Sequence, residues 1–450
     1  MKSIKRGQRV ITLFLLGFIA AMVCLIVKIH RESAFYMMNS GTQVLGKVYD
    51  KDGDVLFDDS GAVYEDGHFT DIANIIGDAS GQMSNTLVAN NIDKLNNYSF
   101  VSGLVAENGK SAIYTTLDHY ANKAVYDAFR GHKGCAVAYD YKTGGILVCT
   151  SLPSFDITKG YDNIASFDSG TLISKNLYGT VPGSTQKVST LVTALELMGA
   201  DKLYSKSFGC SGSYINRSGG QIDCHNEYGH GQQNIQQAFE NSCNPFFAQL
   251  VEDEDMPLDG IKKTYTKLGY AVNGEKEEYF DIDGIRCEKA STTLTDPYDF
   301  TTQWGCIGQG DTLVSPVQLM MWQSAIASGS GKMTMPHLID HVTGVNGKVT
   351  ERANTKFSKE IFSQTTAGSA KQIMLTNGTD KYSYSLGGYS VGVKSGTAQI
   401  EDGNKENSLL VGFVDDTRHP IAFCIVIEDK DTSPVTTEQI AKTLLDSLYA

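Results

Sequence analysis

The chain has 450 residues, 41% hydrophobic and 20% charged, enough to bury a large core in two or three domains and too apolar for a disordered protein. The formal net charge is −13 and basic residues cluster only at the extreme N-terminus, so the footprint of a nucleic-acid-binding surface is missing and no such partner is expected. The first element is Val10 to Val27, an uncharged apolar run with Lys2, Lys5, Arg6 and Arg9 before it and Lys28 and Arg31 after it. Its length suits one crossing of a bilayer core of about 30 Å, and the heavier basic charge before the run keeps that end in the cytoplasm. A cleaved signal peptide shares the basic start and apolar core, but no small-x-small cleavage site follows closely, which favours an uncleaved anchor. Residues 1–31 are therefore read as cytoplasmic tail and single-pass anchor, with everything after Arg31 extracytoplasmic.

Residues 32–114 form a pedestal or linker module. Gly46-Lys47-Val48-Tyr49-Asp50 followed by Asp52-Gly53 reads as two short strands meeting at a turn. Gly77-Asp78 and the polar stretch Asn90 to Asn97 give only a loose amphipathic pattern. From residue 115 to 450 helices and strands interleave. Helical patterns cover His119 to Phe129, Val188 to Met198, Gln233 to Glu240, Pro316 to Ser328 and Ile440 to Tyr449. Strand-like runs are Gly134 to Asp140, Gly145 to Cys149, Tyr389 to Val393, Ser408 to Phe413 and Ile421 to Glu428. The fold class is α+β: a central antiparallel sheet with flanking helices and a helical subdomain.

Three short motifs carry chemistry. Ser184-Thr185-Gln186-Lys187 follows Pro182-Gly183 and opens an apolar helical run. A Ser and a Lys three residues apart at a helix start share one face, so the amine can take the hydroxyl proton. The helix N-terminus adds positive partial charge and free N–H groups suited to an oxyanion. Ser242-Cys243-Asn244 comes next, and Lys394-Ser395-Gly396-Thr397 ends the strand-like run from Tyr389. Two decoys precede the serine. Lys142-Thr143-Gly144 lies between two strand-like runs and reads as a hairpin turn; Ser174-Lys175-Asn176 lacks the helix context and reads as coincidence.

The ordered set S-x-x-K, S-x-N, K-[ST]-G resembles that of serine acyl-transferases acting on D-Ala-D-Ala peptides and β-lactams, and the chain is identified as similar to class B penicillin-binding proteins, membrane-anchored peptidoglycan transpeptidases. Thr115-Thr116-Leu117-Asp118, the segment Gly134 to Asp156, Gly308-Gln309-Gly310 with Ser315-Pro316 and Gln318-Leu319, Val411-Gly412-Phe413 and Ile421 to Glu428 extend the likeness over about three quarters of the chain. The resemblance implies a penicillin-binding transpeptidase domain at 115–450, Ser184 as nucleophile and Lys187 as base. Ser242 would relay the proton and Asn244 hold the peptide. Lys394 would supply positive potential, Ser395 and Thr397 would meet the donor carboxylate, and Gly396 would leave room for it. By the same analogy the backbone N–H groups of Ser184 and Thr397 form the oxyanion hole. Implied partners are peptidoglycan stem peptides, β-lactams, the bacterial cell membrane through the N-terminal helix, and a SEDS-family glycosyltransferase. The chain before residue 115 is too short for a glycosyltransferase domain, which argues against a bifunctional class A protein. A D,D-carboxypeptidase, a β-lactam-hydrolysing enzyme or a β-lactam sensor using the same Ser/Lys site is the alternative. The long interval between Ser242 and Lys394, and the short segment before the anchor, argue against the last two.

Eight of the nine cysteines follow the anchor. Cys135, Cys149 and Cys424 sit in apolar strand patterns and read as core residues. Cys210 and Cys224 bracket a Gly/Ser-rich loop and are the best disulfide candidates in an oxidising compartment. A zinc set of Cys210, Cys224, His225 and His230 matches no standard ligand spacing, and neither metal nor organic cofactor is required by the implied chemistry. Cys243, inside the S-x-N motif, reads as a packing residue rather than a nucleophile.

Overall fold

The computed structural model describes residues 2–38, 45–58, 70–78, 82–99, 103–104, 110–274, 279–400 and 403–450. The parts of the expected pedestal at 39–44, 59–69, 79–81, 100–102 and 105–109 lie outside the described residues. Helix α1 (Lys2–Met38) contains the apolar run, and its Gly7–Lys28 stretch is long and apolar enough to cross a membrane, with the described side chains of Val10 to Val27 exposed. Strands β1 (Lys47–Tyr49) and β2 (Val55–Phe57) then pair antiparallel. Their turn is set by Asp50, whose Oδ1 accepts from the amides of Asp52 and Asp54.

After β3 (Ala112–Thr115), helix α2 (His119–Ala128) starts where the Asp118 carboxylate caps the Ala121 amide. Strands β4 (Gly134–Asp140) and β5 (Ile146–Leu152) form the first hairpin, and α3 (Lys187–Met198) follows it. After a short helix at Ala200–Ser205 come four short strands: β6 (Phe208–Cys210), β7 (Ser213–Ile215), β8 (Gln221–Asp223) and β9 (Gly231–Gln233). They pair as β6 with β9 and β7 with β8. Helix α4 (Ile235–Glu240) begins with a reciprocal Asn234/Gln237 capping box, and α5 (Asn244–Val251) begins with Pro245 in its first turn. Helices α6 (Phe300–Ile307) and α7 (Pro316–Ala327) precede β10 (Ile339–Thr343) and β11 (Val349–Arg352). The chain closes with α8 (Gln364–Tyr382), β12 (Val391–Ile400), β13 (Lys405–Val414), β14 (Ile421–Ile427) and α9 (Thr437–Tyr449).

The central sheet has the order β12-β13-β14-β4-β5, antiparallel throughout. Its residues alternate between two cores, as the two-residue strand period requires. Val137, Cys149, Val411 and Cys424 lie in one core with Val188, Leu191 and Met320. Ala136, Val148, Val393, Leu410 and Ile425 lie in the other with Val125 of α2 and Ile440 and Leu444 of α9. Helix α7 is buried on every side, which explains why its apolar pattern shows no polar face. A second sheet, β11-β10-β3-β1-β2, joins strands from either side of residue 115, so the pedestal strands are completed by chain that lies between the Ser242 and Lys394 motifs in sequence.

Candidate active site

The Ser184-Thr185-Gln186-Lys187 motif sits on a turn rather than in an α-helix. Gly183–Gln186 is a 3-10 turn and α3 begins at Lys187, a correction to the helical start expected for Ser184. Pro182 fixes the approach, and Gly183 takes φ 53, a left-handed value that most side chains resist. The tighter turn keeps Ser184 and Lys187 on one side: Lys187 Nζ lies 2.9 Å from Ser184 Oγ.

The second motif arrives on the turn between α4 and α5. Lys187 Nζ donates to Ser242 O at 2.6 Å and to Asn244 Oδ1 at 2.7 Å, and lies 3.3 Å from Ser242 Oγ. Ser242 itself adopts φ 50, an uncommon conformation for a non-glycine residue that aims its carbonyl and hydroxyl at the same amine. Asn244 Nδ2 donates to Asp223 O at 3.0 Å, so its amide spans the gap between Lys187 and β8.

The third motif is on β12, an edge strand of the central sheet. Lys394 Nζ donates to Ser242 Oγ at 3.0 Å and to Ser395 O at 2.8 Å. Three segments that are remote in sequence thus meet at one hydroxyl pair. The strand period turns Lys394 and Gly396 toward the Ser184 turn, whereas Ser395 is half-buried beside Tyr382 of α8 and Thr397 is exposed. A Cβ on Gly396 would come within 2.8 Å of Pro182 O and 3.0 Å of the Thr185 amide nitrogen, so only glycine lets β12 approach this closely.

Both amines are enclosed. Lys187 is wholly buried, and burial, reinforced by the Lys394 charge, holds its pKa well below the ordinary lysine value. Burial lowers Lys394 to about 7. Phe247 and Phe239 rings lie 5.5 and 5.7 Å from the two amines and exclude water from one side of each. A neutral amine beside a half-buried serine hydroxyl is the arrangement that can accept a proton as that hydroxyl attacks a carbonyl.

Sequence reasoning missed the clamp that holds β12 to the Ser184 turn. Gln309 Nε2 donates to Thr397 O at 3.2 Å and its Oε1 accepts from the Gln399 amide at 3.3 Å, imitating one strand pairing on the free edge. Gly308, at φ 102, lies so near Gly183 that an added Cβ would meet its carbonyl oxygen at 1.8 Å. Gln186 is held underneath by Tyr270 and Tyr265 hydroxyls. Gly308-Gln309-Gly310 stood out in the sequence as part of the family likeness, but nothing in it signalled a clamp on β12. The decoys lie elsewhere: Asp140 Oδ1 accepts from the Lys142 and Thr143 amides in a hairpin turn, and Lys175 pairs with Glu428 at 2.6 Å.

All nine cysteines are free thiols, so the 210–224 loop is not closed by the disulfide considered above. Cys135, Cys149 and Cys424 are buried in the core, as read from their strand patterns. Among the described residues, two groups of side chains have donor atoms close enough to hold a metal: Asp50, Asp54 and His119, and Cys210, Cys224, His230 and Cys243. In the first, Asp50 already accepts two backbone amides and faces His119 at 2.7 Å, which accounts for it as a turn and ion pair.

The family model described as the penicillin binding protein transpeptidase domain matches residues 134–446. Stage V sporulation protein D of Bacillus subtilis is 28% identical over 62% of this chain and 42% of its own length. Peptidoglycan D,D-transpeptidase MrdA of Salmonella typhimurium is 23% identical over 75% of this chain and 59% of its own. The chain therefore spans roughly half the length of these curated relatives. Among solved structures, penicillin-binding protein A of M. tuberculosis, described as a ceftriaxone acyl-enzyme complex, superposes with TM-score 0.77 at 17% identity, covering 92% of this chain and 100% of that one. The D,D-transpeptidase domain of an Eggerthella lenta peptidoglycan glycosyltransferase gives TM-score 0.73 at 24% identity, covering 90% and 98%.

Proposed function

The chain belongs to the penicillin-binding protein transpeptidase family, as a class B member, and we propose that it is a membrane-anchored peptidoglycan D,D-transpeptidase that forms its acyl-enzyme on Ser184. The observation that carries this reading is the contact of Lys187 Nζ, a buried amine, with Ser184 Oγ at 2.9 Å and with both anchors of the S-x-N turn.

The penultimate D-Ala carbonyl of a stem peptide enters between β12 and the 242–244 turn. Ser184 Oγ bonds to the carbonyl carbon while its proton passes to Lys187 Nζ. The oxyanion is held by the backbone N–H groups of Ser184 and Thr397, which the close packing of Gly183 against Thr397 supports. Collapse of the tetrahedral adduct breaks the peptide C–N bond. Lys187 returns the proton through Ser242 Oγ, which lies 3.3 Å from it, and the terminal D-Ala leaves as a neutral amine. An acceptor amine from a second stem peptide then attacks the ester, loses its proton to Lys187 and restores Ser184. Lys394, while charged, attracts the donor carboxylate, and the exposed Thr397 hydroxyl is free to bind it. Ser395, turned toward Tyr382, is the weaker carboxylate contact of the two.

Residues 1–31 anchor the protein, 32–114 form the pedestal, 115–450 the catalytic domain outside the cytoplasm, and a SEDS-family glycosyltransferase is the partner that would supply glycan strands. Hydrolysis, as in a D,D-carboxypeptidase, is the same sequence with water as acceptor. Incubation with a D-Ala-D-Ala pentapeptide and an amine acceptor separates the two. Cross-linked product that tracks D-Ala release is expected, and release with no amine-linked product would replace transpeptidation by hydrolysis.

A further inference from the structure

The cluster behind the S-x-N turn has a donor set unlike anything the acyl-transfer chemistry needs. The Sγ atoms of Cys210, Cys224 and Cys243 and a ring nitrogen of His230 all lie within 4.8 Å of one another. A tetrahedral zinc ion with bonds of about 2.0–2.3 Å spaces its ligands by roughly 3.3–3.8 Å, so closing on an ion asks only for a small inward movement. Cys224 Sγ and His230 Nδ1 are already 3.4 Å apart. The three cysteines are buried and His230 half-buried, which leaves no side open for substrate.

Local structure brings these groups together. Strands β6 and β9 pair Cys210 with Gly231, and the His230 amide donates to Cys210 O at 3.1 Å. The Cys224 amide donates to Gly212 O at 2.8 Å. Gly229 and Gly212, both at positive φ, allow that loop to fold tightly: a Cβ on either would meet backbone oxygen at 2.2 or 2.1 Å. Cys243 comes from another element, the residue before α5.

We propose that Cys210, Cys224, His230 and Cys243 form a closed structural zinc site that ties the 210–230 loop to the Ser242-Cys243-Asn244 turn. Three sulfurs and one imidazole suit zinc over magnesium or calcium, and four protein ligands make the site structural rather than catalytic. Coordination releases the three thiol protons to solvent and uses His230 as the neutral ring. His225, whose Nδ1 is 4.0 Å from Cys224 Sγ, lies outside the ligand set and beside it. The ion then has a positional consequence. Cys243 is flanked by Ser242 and Asn244, and Asn244 Nδ2 also binds the carbonyl of Asp223, next to Cys224, so the ion and that hydrogen bond hold the same turn from two sides. This last step rests on the active-site reading above; the metal assignment does not.

The test uses the full chain in detergent, purified under reductant without chelator. About one zinc per chain is expected by atomic emission, and cobalt replacement is expected to give thiolate-to-cobalt charge transfer with the intense visible bands of a tetrahedral ion. Cys210→Ser and His230→Ala should lose most of the zinc. His230→Cys, which rebuilds a four-sulfur set, should keep it with a shifted cobalt spectrum and so separates loss of ligand from loss of fold. Metal content well below one after incubation with zinc, a six-coordinate cobalt spectrum, or a Cys224–Cys243 disulfide in the native chain would overturn the site. On a chain shown to be metal-free, fluorescent-penicillin labelling should slow tenfold or more, and an unchanged rate would overturn the tie to the turn. Failure of the Ser184 reading would instead show as no adduct, or an adduct on another residue, with the zinc count intact.

Discussion

At the scale of single residues the account turns on two buried lysines with lowered pKa values. Lys394, lowered to about 7, is charged below that pH and neutral above it. Penicillin labelling, which needs positive charge for an anionic carboxylate, should therefore decline above about pH 7. Lys394→Arg keeps its charge across the range and should lose that alkaline limb even as its rate falls. A pH–rate profile of both proteins checks this, and a shared limb would assign it to another group. The sign for stability is the reverse of a salt-bridged lysine. Between about 7 and 10.5 the unfolded chain binds the proton that folded Lys394 has lost, so stability rises with pH over that window. Lys394→Met should flatten the rise in melting temperature. Ser242→Ala removes the hydroxyl between the two amines and should cut the labelling rate by about 10²–10⁴-fold, with melting changed far less.

Elements decide how the three motifs meet, and here the sequence was informative about identity more than about geometry. The first central strand, Gly134–Asp140, was legible to the residue because it is a continuous apolar run buried on both faces. The Lys394 strand was read only as far as Val393, yet β12 continues to Ile400, because Lys394, Ser395, Gly396 and Gln399 break the apolar pattern while the β13 pairing holds their backbone. The 3-10 geometry at Ser184 was not legible, since S-x-x-K spacing fits either helix type. Cys243 reads as a packing residue and is fully buried in the main core; its closeness to Cys210, Cys224 and His230 was not legible, because a set drawn from two elements leaves no local spacing signal. The Gln309 clamp leads to a prediction of its own. Gly308→Ala would drive a methyl into Gly183 O and should both lower stability and abolish labelling. Gln309→Ala, which only frees the edge of β12, should cost about 1 kcal/mol of stability and slow labelling without abolishing it. Thermal melts alongside labelling rates distinguish the two.

Over the whole molecule, one sheet with a core on each face fixes the Ser184 turn against the Lys394 edge, and the second sheet binds the pedestal strands to the same body. The described apolar side chains of helix α1 are exposed, so removal of residues 1–31 should release the protein from membranes while leaving labelling intact. Sedimentation of full-length and shortened chains with membranes, followed by labelling of each fraction, measures this. The central claim is that the hydroxyl of Ser184 captures an acyl group. Its most direct measurement is peptide mapping of the full chain after reaction with a fluorescent penicillin, run beside Ser184→Ala. The account predicts a single covalent adduct on the peptide containing Ser184 and none in the variant. An adduct on any other residue, or one that persists in Ser184→Ala, would contradict it.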